Sequence, residues 1–225
     1  MLTAKGLVAH CIMAHVQAWG YVWGTYGLVL TENGLTDKYR QYPEEVGKFM
    51  DFIPNKWIGK RTVDCSGLIK SYLWWNNGLP KYDPRTDLSA NMLFRNAVEK
   101  NSFASEEMPD IPGILVFKPG HVGVYIGDGW VIEAKGTKYG VVKSYLPKGN
   151  WISWAKCHLL DYRTPAEKKD WTRLVMEASD GFGEKWIKTI ETLADIATDH
   201  NTSIGDLSIM KYLPELIEKI GNKEK

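Results

Sequence analysis

The sequence is poor in cysteine, carries no excess of charge of either sign and contains no long apolar run, and each shortage removes a class of protein. Its three cysteines, Cys11, Cys65 and Cys157, are widely spaced and odd in number. That suits neither a disulfide framework nor a zinc knuckle and leaves at least one thiol free. With 28 basic residues against 27 acidic ones, net charge does not supply a nucleic-acid or membrane-surface partner. No stretch approaches the roughly 18 consecutive apolar residues of a membrane span. The first eleven residues hold one lysine but no sustained apolar core and no cleavage site, so no signal peptide is read and a soluble chain synthesised in the cytoplasm is expected. Repeats, low-complexity tracts and phosphate-binding glycine loops are also missing. Cys11 and His15 stand i, i+4, but no second ligand pair follows, so a buried helix face is expected there and neither a metal nor a cofactor is called for.

What is present is an ordinary globular composition, 44% apolar and 24% charged over 225 residues, with a surplus of ten tryptophans and eleven tyrosines. Surplus aromatics line a packed core or a substrate groove. Leu7, Val8, Cys11, Ile12, His15, Val16 and Trp19 recur at helical spacing and predict an amphipathic helix over residues 3–19, stopped at Gly20. Residues 31–63 are polar and weakly periodic and read as an irregular insertion with a short helix near Glu44 to Phe52. Leu68, Ile69, Tyr72 and Leu73 form a stripe on a helix that starts at Cys65 and is expected to end at Asn76-Asn77-Gly78. A short helix is expected over 89–100 and strands over 114–117, 121–126, 130–134, 141–145 and 154–160, these five forming an antiparallel sheet. Composition changes at Thr164-Pro165-Ala166-Glu167, a helix start, and apolar stripes follow to the end. The expected organisation is a catalytic domain over 1–163, with its insertion, and a small helical domain over 164–225.

Cys65 follows Asp64 at the start of a helix, where the positive end of the helix dipole favours a thiolate. A small buried hydrophobe capping the helix is the plain alternative. In His121-Val122-Gly123-Val124-Tyr125-Ile126 the alternation puts Val122, Val124 and Ile126 on a core face and His121 on the other, immediately after Pro119-Gly120. Cys157 and His158 are adjacent, point to opposite faces of their strand and make a poor catalytic pair.

Three segments, Tyr21-Val22-Trp23-Gly24, Asp64-Cys65-Ser66-Gly67-Leu68 and Gly120-His121-Val122-Gly123-Val124-Tyr125-Ile126-Gly127, resemble the signature segments of the NlpC/P60 cysteine peptidases, in the family's order and over residues 1 to about 162. The resemblance implies an α+β, papain-like core in which a helix bearing the nucleophile packs on an antiparallel sheet bearing the base; the C-terminal helices extend it. It also implies hydrolysis of amide bonds in the stem peptides of bacterial peptidoglycan. Carried over by position, Cys65 attacks the carbonyl carbon and His121 holds the thiol proton and returns it to the leaving amine. Backbone amides at the helix start help to stabilise the oxyanion. Tyr21 lines the site with its hydroxyl near the thiol or is plain packing. Ser66 is a rival nucleophile by type and lies beside the matched position; Asp64 caps the helix.

The third member of the site departs from the family, in which a polar residue, often histidine, on the next strand orients the imidazole. Here that strand offers Glu133, whose carboxylate can accept the imidazole N–H. A three-residue Gly127-Asp128-Gly129 loop pairs Ile126 with Trp130 and so His121 with Lys135, leaving Glu133 on the diagonal. Charged lysine cannot accept a hydrogen bond, which favours Glu133; a solvated strand residue, or an acceptor from elsewhere, is the alternative. Function is therefore expected to be cell-wall hydrolysis, of the phage-lysin type because a leader is missing. An acyltransferase of a related permuted papain-like family and an inactive wall-binding module stand as alternatives.

Overall fold

Thr3 opens the first helix, its hydroxyl accepting the Gly6 N–H at 3.0 Å, and α1 runs over Ala4–Val16. The structure, a computed structural model, describes residues 2–162; the helices expected over 164–225 lie outside the described residues. After α1 come β1 (Gly20–Tyr21), β2 (Tyr26–Val29), α2 (Glu32–Gln41), α3 (Pro43–Gly47), α4 (Ile53–Trp57), β3 (Arg61–Val63) and α5 (Cys65–Leu73). A small hairpin of β4 (Trp75–Asn76) and β5 (Leu79–Pro80) precedes α6 (Ala90–Arg95) and β6 (Glu99–Ser102). Then follow β7 (Leu115–Lys118), β8 (His121–Gly127), β9 (Trp130–Gly136), β10 (Gly140–Tyr145) and β11 (Ser153–Lys156).

The six-stranded sheet has the order β10-β9-β8-β7-β11-β6, antiparallel throughout. Helices α1 and α5 cover one face, burying Leu7, Leu68 and Ile69 against Val122, Val124 and Ile132. Tyr125, Val131, Trp151 and Trp154 form a second apolar cluster with Ile114 and Val116. The protein is therefore α+β, with a helix layer on an antiparallel sheet, as the sequence predicts.

Several elements differ from the sequence expectation. Helix α1 stops at Val16 rather than running to Gly20, because Ala18 turns into the left-handed region at φ 51° and Trp19 folds back to Ala14. It is not two-sided either: wedged against α5 and the sheet, it buries His10 and exposes Val16. The segment 31–63 is not irregular. It holds three helices, and Leu35, Val46, Ile53 and Trp57 build a core of their own with Val22 and Leu30. Helix α5 ends at Leu73, and Asn77-Gly78, with φ of 48° and 84°, forms the two-residue turn of the β4–β5 hairpin. The helix expected over 89–100 ends at Arg95, and its last two residues belong instead to edge strand β6, whose polar residues carry no strand pattern. Strand β11 is shorter than expected, ending at Lys156.

Candidate active site

One carboxylate organises the start of α5. Asp64 Oδ1 accepts the Gly67 N–H at 2.6 Å and the Ser66 hydroxyl at 3.1 Å, while Oδ2 accepts the Gly24 N–H at 2.9 Å. Asp64 thus caps the helix and ties it to the turn that follows Tyr21. Gly67 must lack a side chain, since a Cβ would lie 2.0 Å from the Thr25 carbonyl oxygen. Ser66 is committed to the cap and buried.

Cys65 occupies the first helical position and is 7% exposed. Its thiol makes a long S–H···O contact, 3.8 Å, with the Gly120 carbonyl. Burial, followed by the charge of Asp64, pushes the thiol up to about 11, against the backbone N–H groups of Ser66, Val122 and Cys65 itself, which pull it down. The helix start favours the thiolate, as the sequence suggests, but desolvation and the neighbouring carboxylate outweigh it. Tyr21 is buried beside this thiol; burial, then Cys65 and Asp64, hold its phenol well above the usual range. It makes no hydrogen bond to the sulfur.

His121 opens β8 with its Nε2 2.7 Å from Glu133 Oε2. The pairs Val124–Ile132 and Tyr125–Val131, continued along the strands, set His121 opposite Lys135 and Glu133 on the diagonal. This is the register read from the sequence, reached differently: the turn is the two-residue Asp128-Gly129, and an irregularity between Tyr125 and Gly127 restores the count. Lys135 is exposed, its ammonium over the Tyr139 ring. With Nε2 donating to a carboxylate, Nδ1 is the nitrogen left for the thiol. No hydrogen bond joins Sγ to the imidazole, but the backbone on both sides of His121, at Gly120 and Val122, meets the sulfur.

Glu133 is 1% exposed and has two hydrogen-bond donors and one further cationic partner. Besides His121, the Ser144 hydroxyl donates to Oε1 at 2.7 Å and the Lys118 ammonium lies 3.7 Å from Oε2. Burial alone would push the carboxyl up; the hydrogen bonds from His121 and Ser144 and the charge of Lys118 reverse that and hold it at about 2. Trp151 covers the group. Its ring stacks on His121 with centroids 5.7 Å apart, planes 17° apart, and the Lys118 ammonium lies 4.4 Å from its centroid. Gly123 makes room for the indole, since a Cβ there would come within 2.8 Å of it.

Lys118, Ser144 and Trp151 escape a reading of the sequence. The signal that could find Ser144 is its position two residues from Val142, the partner of Glu133, on the same face of β10. Cys11 and Cys157 are buried in the core, and both thiols are pushed up by burial. His15 Nδ1 contacts the Val141 carbonyl at 3.3 Å. Among the described residues no cluster of His, Cys, Asp and Glu is gathered to hold a metal ion.

Residues 53–159 match the model of the NlpC/P60 family. Similar solved structures include the peptidoglycan hydrolase RipB from Mycobacterium tuberculosis, at 19% identity and TM-score 0.38, covering 71% of this chain and 67% of that one. The P60 domain of an antigen from M. avium subspecies paratuberculosis is similar at 21% identity and TM-score 0.40, covering 71% and 98%. NlpC2 from Trichomonas vaginalis is similar at 19% identity and TM-score 0.39, covering 68% of this chain and 47% of its own. The chain thus spans about half the length of NlpC2. No curated protein matches the sequence.

Proposed function

We propose that this chain, which belongs to the NlpC/P60 family through residues 53–159, is a peptidoglycan hydrolase that cuts an amide bond of the stem peptide, with Cys65 as nucleophile and His121 as base. The observation that carries the reading is the 2.7 Å contact of His121 Nε2 with buried Glu133. It fixes the tautomer that turns a basic Nδ1 away from the carboxylate. Because the resting thiol is held up at about 11, the sulfur does not wait as a thiolate; His121 takes its proton as the scissile carbonyl arrives. The sulfur adds to the carbonyl carbon, the oxyanion forms near the backbone N–H of Cys65 at the helix start, and the imidazolium protonates the leaving amine. Water then cleaves the thioester by the same base. Glu133 stays ionised and stabilises the imidazolium in both halves.

We propose the bacterial cell wall as the site of action. The test is incubation of the full chain with purified peptidoglycans of several stem-peptide types, followed by titration of new amines and mass spectrometry of the muropeptides. Amine release that Cys65→Ala abolishes supports the hydrolase. Sedimentation with the wall without any amine release makes the protein a binding module, and a transferred acyl group on an added amine makes it an acyltransferase.

A further inference from the structure

Four neighbouring strands each send one side chain to the same face of the sheet. Lys118 from β7 is the register partner of His121 from β8. Glu133 from β9 pairs with Val142 of β10, and Ser144 stands two residues along that strand. Glu133 therefore has a diagonal neighbour on each side, His121 and Ser144, and the two contacts use different oxygens at the same 2.7 Å. A carboxylate held at one oxygen only can rotate about its last bond; held at both, it cannot. Lys118 adds charge rather than a close hydrogen bond, at 3.7 Å from the oxygen that serves His121, and is itself fixed by the Gly149 carbonyl at 3.2 Å and the Trp151 face.

We infer that Ser144 and Lys118 are positioning residues that act on His121 through Glu133: Ser144 sets the rotation of the carboxylate, and Lys118 moderates the charge with which it holds the imidazolium. The inference rests on the proposed roles of Cys65 and His121. A neutral third residue would need no counter-charge. A buried carboxylate would otherwise stabilise the imidazolium so strongly that it gave up its proton reluctantly to a leaving amine. The charged or titratable groups around the thiol are Asp64, which caps α5, and Tyr21 on β1. Lys135 and Lys143 turn to the rings of Tyr139 and Trp130.

The two residues act with opposite sign, which makes them testable without a substrate. The rate of Cys65 alkylation by iodoacetamide is followed against pH in the full chain, by mass spectrometry of the Cys65 peptide. The control is His121→Ala. Lys118→Met leaves the carboxylate's charge uncompensated, so the imidazolium survives to higher pH and its limb of the profile moves up by about one unit. Ser144→Ala frees the carboxylate, weakens its hold on Nε2 and moves that limb down. Lys118→Arg and Ser144→Thr return both profiles to that of the parent. If His121→Ala changes the profile and Lys118→Met and Ser144→Ala leave it in place, or move it the same way, the positioning roles are wrong while the site stands. If His121→Ala also leaves the profile unchanged, the thiol and imidazole are uncoupled, and the site fails together with this inference.

Discussion

Asp64 and Cys65 are neighbours in sequence with opposed effects on one helix end: the carboxylate that caps α5 also makes its first residue a weaker acid. Asp64→Asn separates the two effects. The amide oxygen can still accept the Gly67 N–H, while the charge beside the sulfur is gone. Cys65 should then ionise at lower pH, and its alkylation near neutral pH should speed up several-fold, to about tenfold. An unchanged rate in a folded Asp64→Asn protein would show that the charge does not reach the thiol.

The three thiols should react in a fixed order in the native protein. Cys65 is the most exposed of them at 7% and its sulfur meets the backbone on both sides of His121, whereas Cys11 and Cys157 are sealed in the core and raised by burial alone or mainly so. Iodoacetamide should label Cys65 first at neutral pH, and denaturant should erase the difference. Equal native rates would remove the argument for an activated thiol.

Glu133 should contribute a pH-dependent part of the stability. Its carboxyl is lowered from 4.5 to about 2 on folding, so its stabilisation is complete above pH 4.5 and is lost as the pH falls through about 2. By linkage this amounts to about 3 kcal/mol, an order-of-magnitude figure. Acid titration of unfolding, followed by circular dichroism, should show a loss in that window that is missing from Glu133→Gln. The same variant should lose about 10²-fold in activity because its amide oxygen can accept the imidazole N–H but not stabilise the cation. Glu133→Leu should lose more, leaving Lys118 and Ser144 with a buried partner removed.

Gly123→Ala should disturb the site without touching a titratable group. The new methyl meets the Trp151 ring and the Val131 side chain at 2.8 Å and 2.6 Å. The indole must lift away from His121 or the strand must shift, at a stability loss of about 1–3 kcal/mol. Loss of activity larger than the fall in folded fraction would show that the indole's cover over His121 matters to the chemistry.

Much of this arrangement is legible in the sequence where local rules decide it. The alternation from His121 to Ile126 gives the face, and a hairpin count over Gly127 to Trp130 gives the diagonal to Glu133. Asp64 and the stripe Leu68, Ile69, Tyr72 give the helix start. What escaped depends on relations across several elements. Ser144 and Lys118 are unremarkable strand residues until the registers of four strands are combined, and β10 itself shifts register between Gly140 and Val141. Trp151 comes from a loop after β10, with nothing in its neighbourhood to announce a contact with His121. The helices of 31–63 bury one or two residues each, Leu35, Val46, Ile53 and Trp57, too few per helix to make a periodic stripe.

That segment meets the rest of the chain through a narrow neck. Leu30 and Lys60 are joined by a 2.8 Å backbone hydrogen bond, and Gly59 returns one to Leu30 at 2.9 Å, so residues 31–58 leave and re-enter at one point. Below the neck β1 and β2 both pair with β3, which sets Tyr21 next to the strand that leads to Cys65. Trp57 is the tether: its indole N–H donates to the Thr137 carbonyl at 2.7 Å and its ring fills the space a side chain on Gly20 would need. Tyr42 makes a second point of contact, its ring filling the space a side chain on Gly24 would need, so the segment braces the turn after Tyr21 that Asp64 also holds.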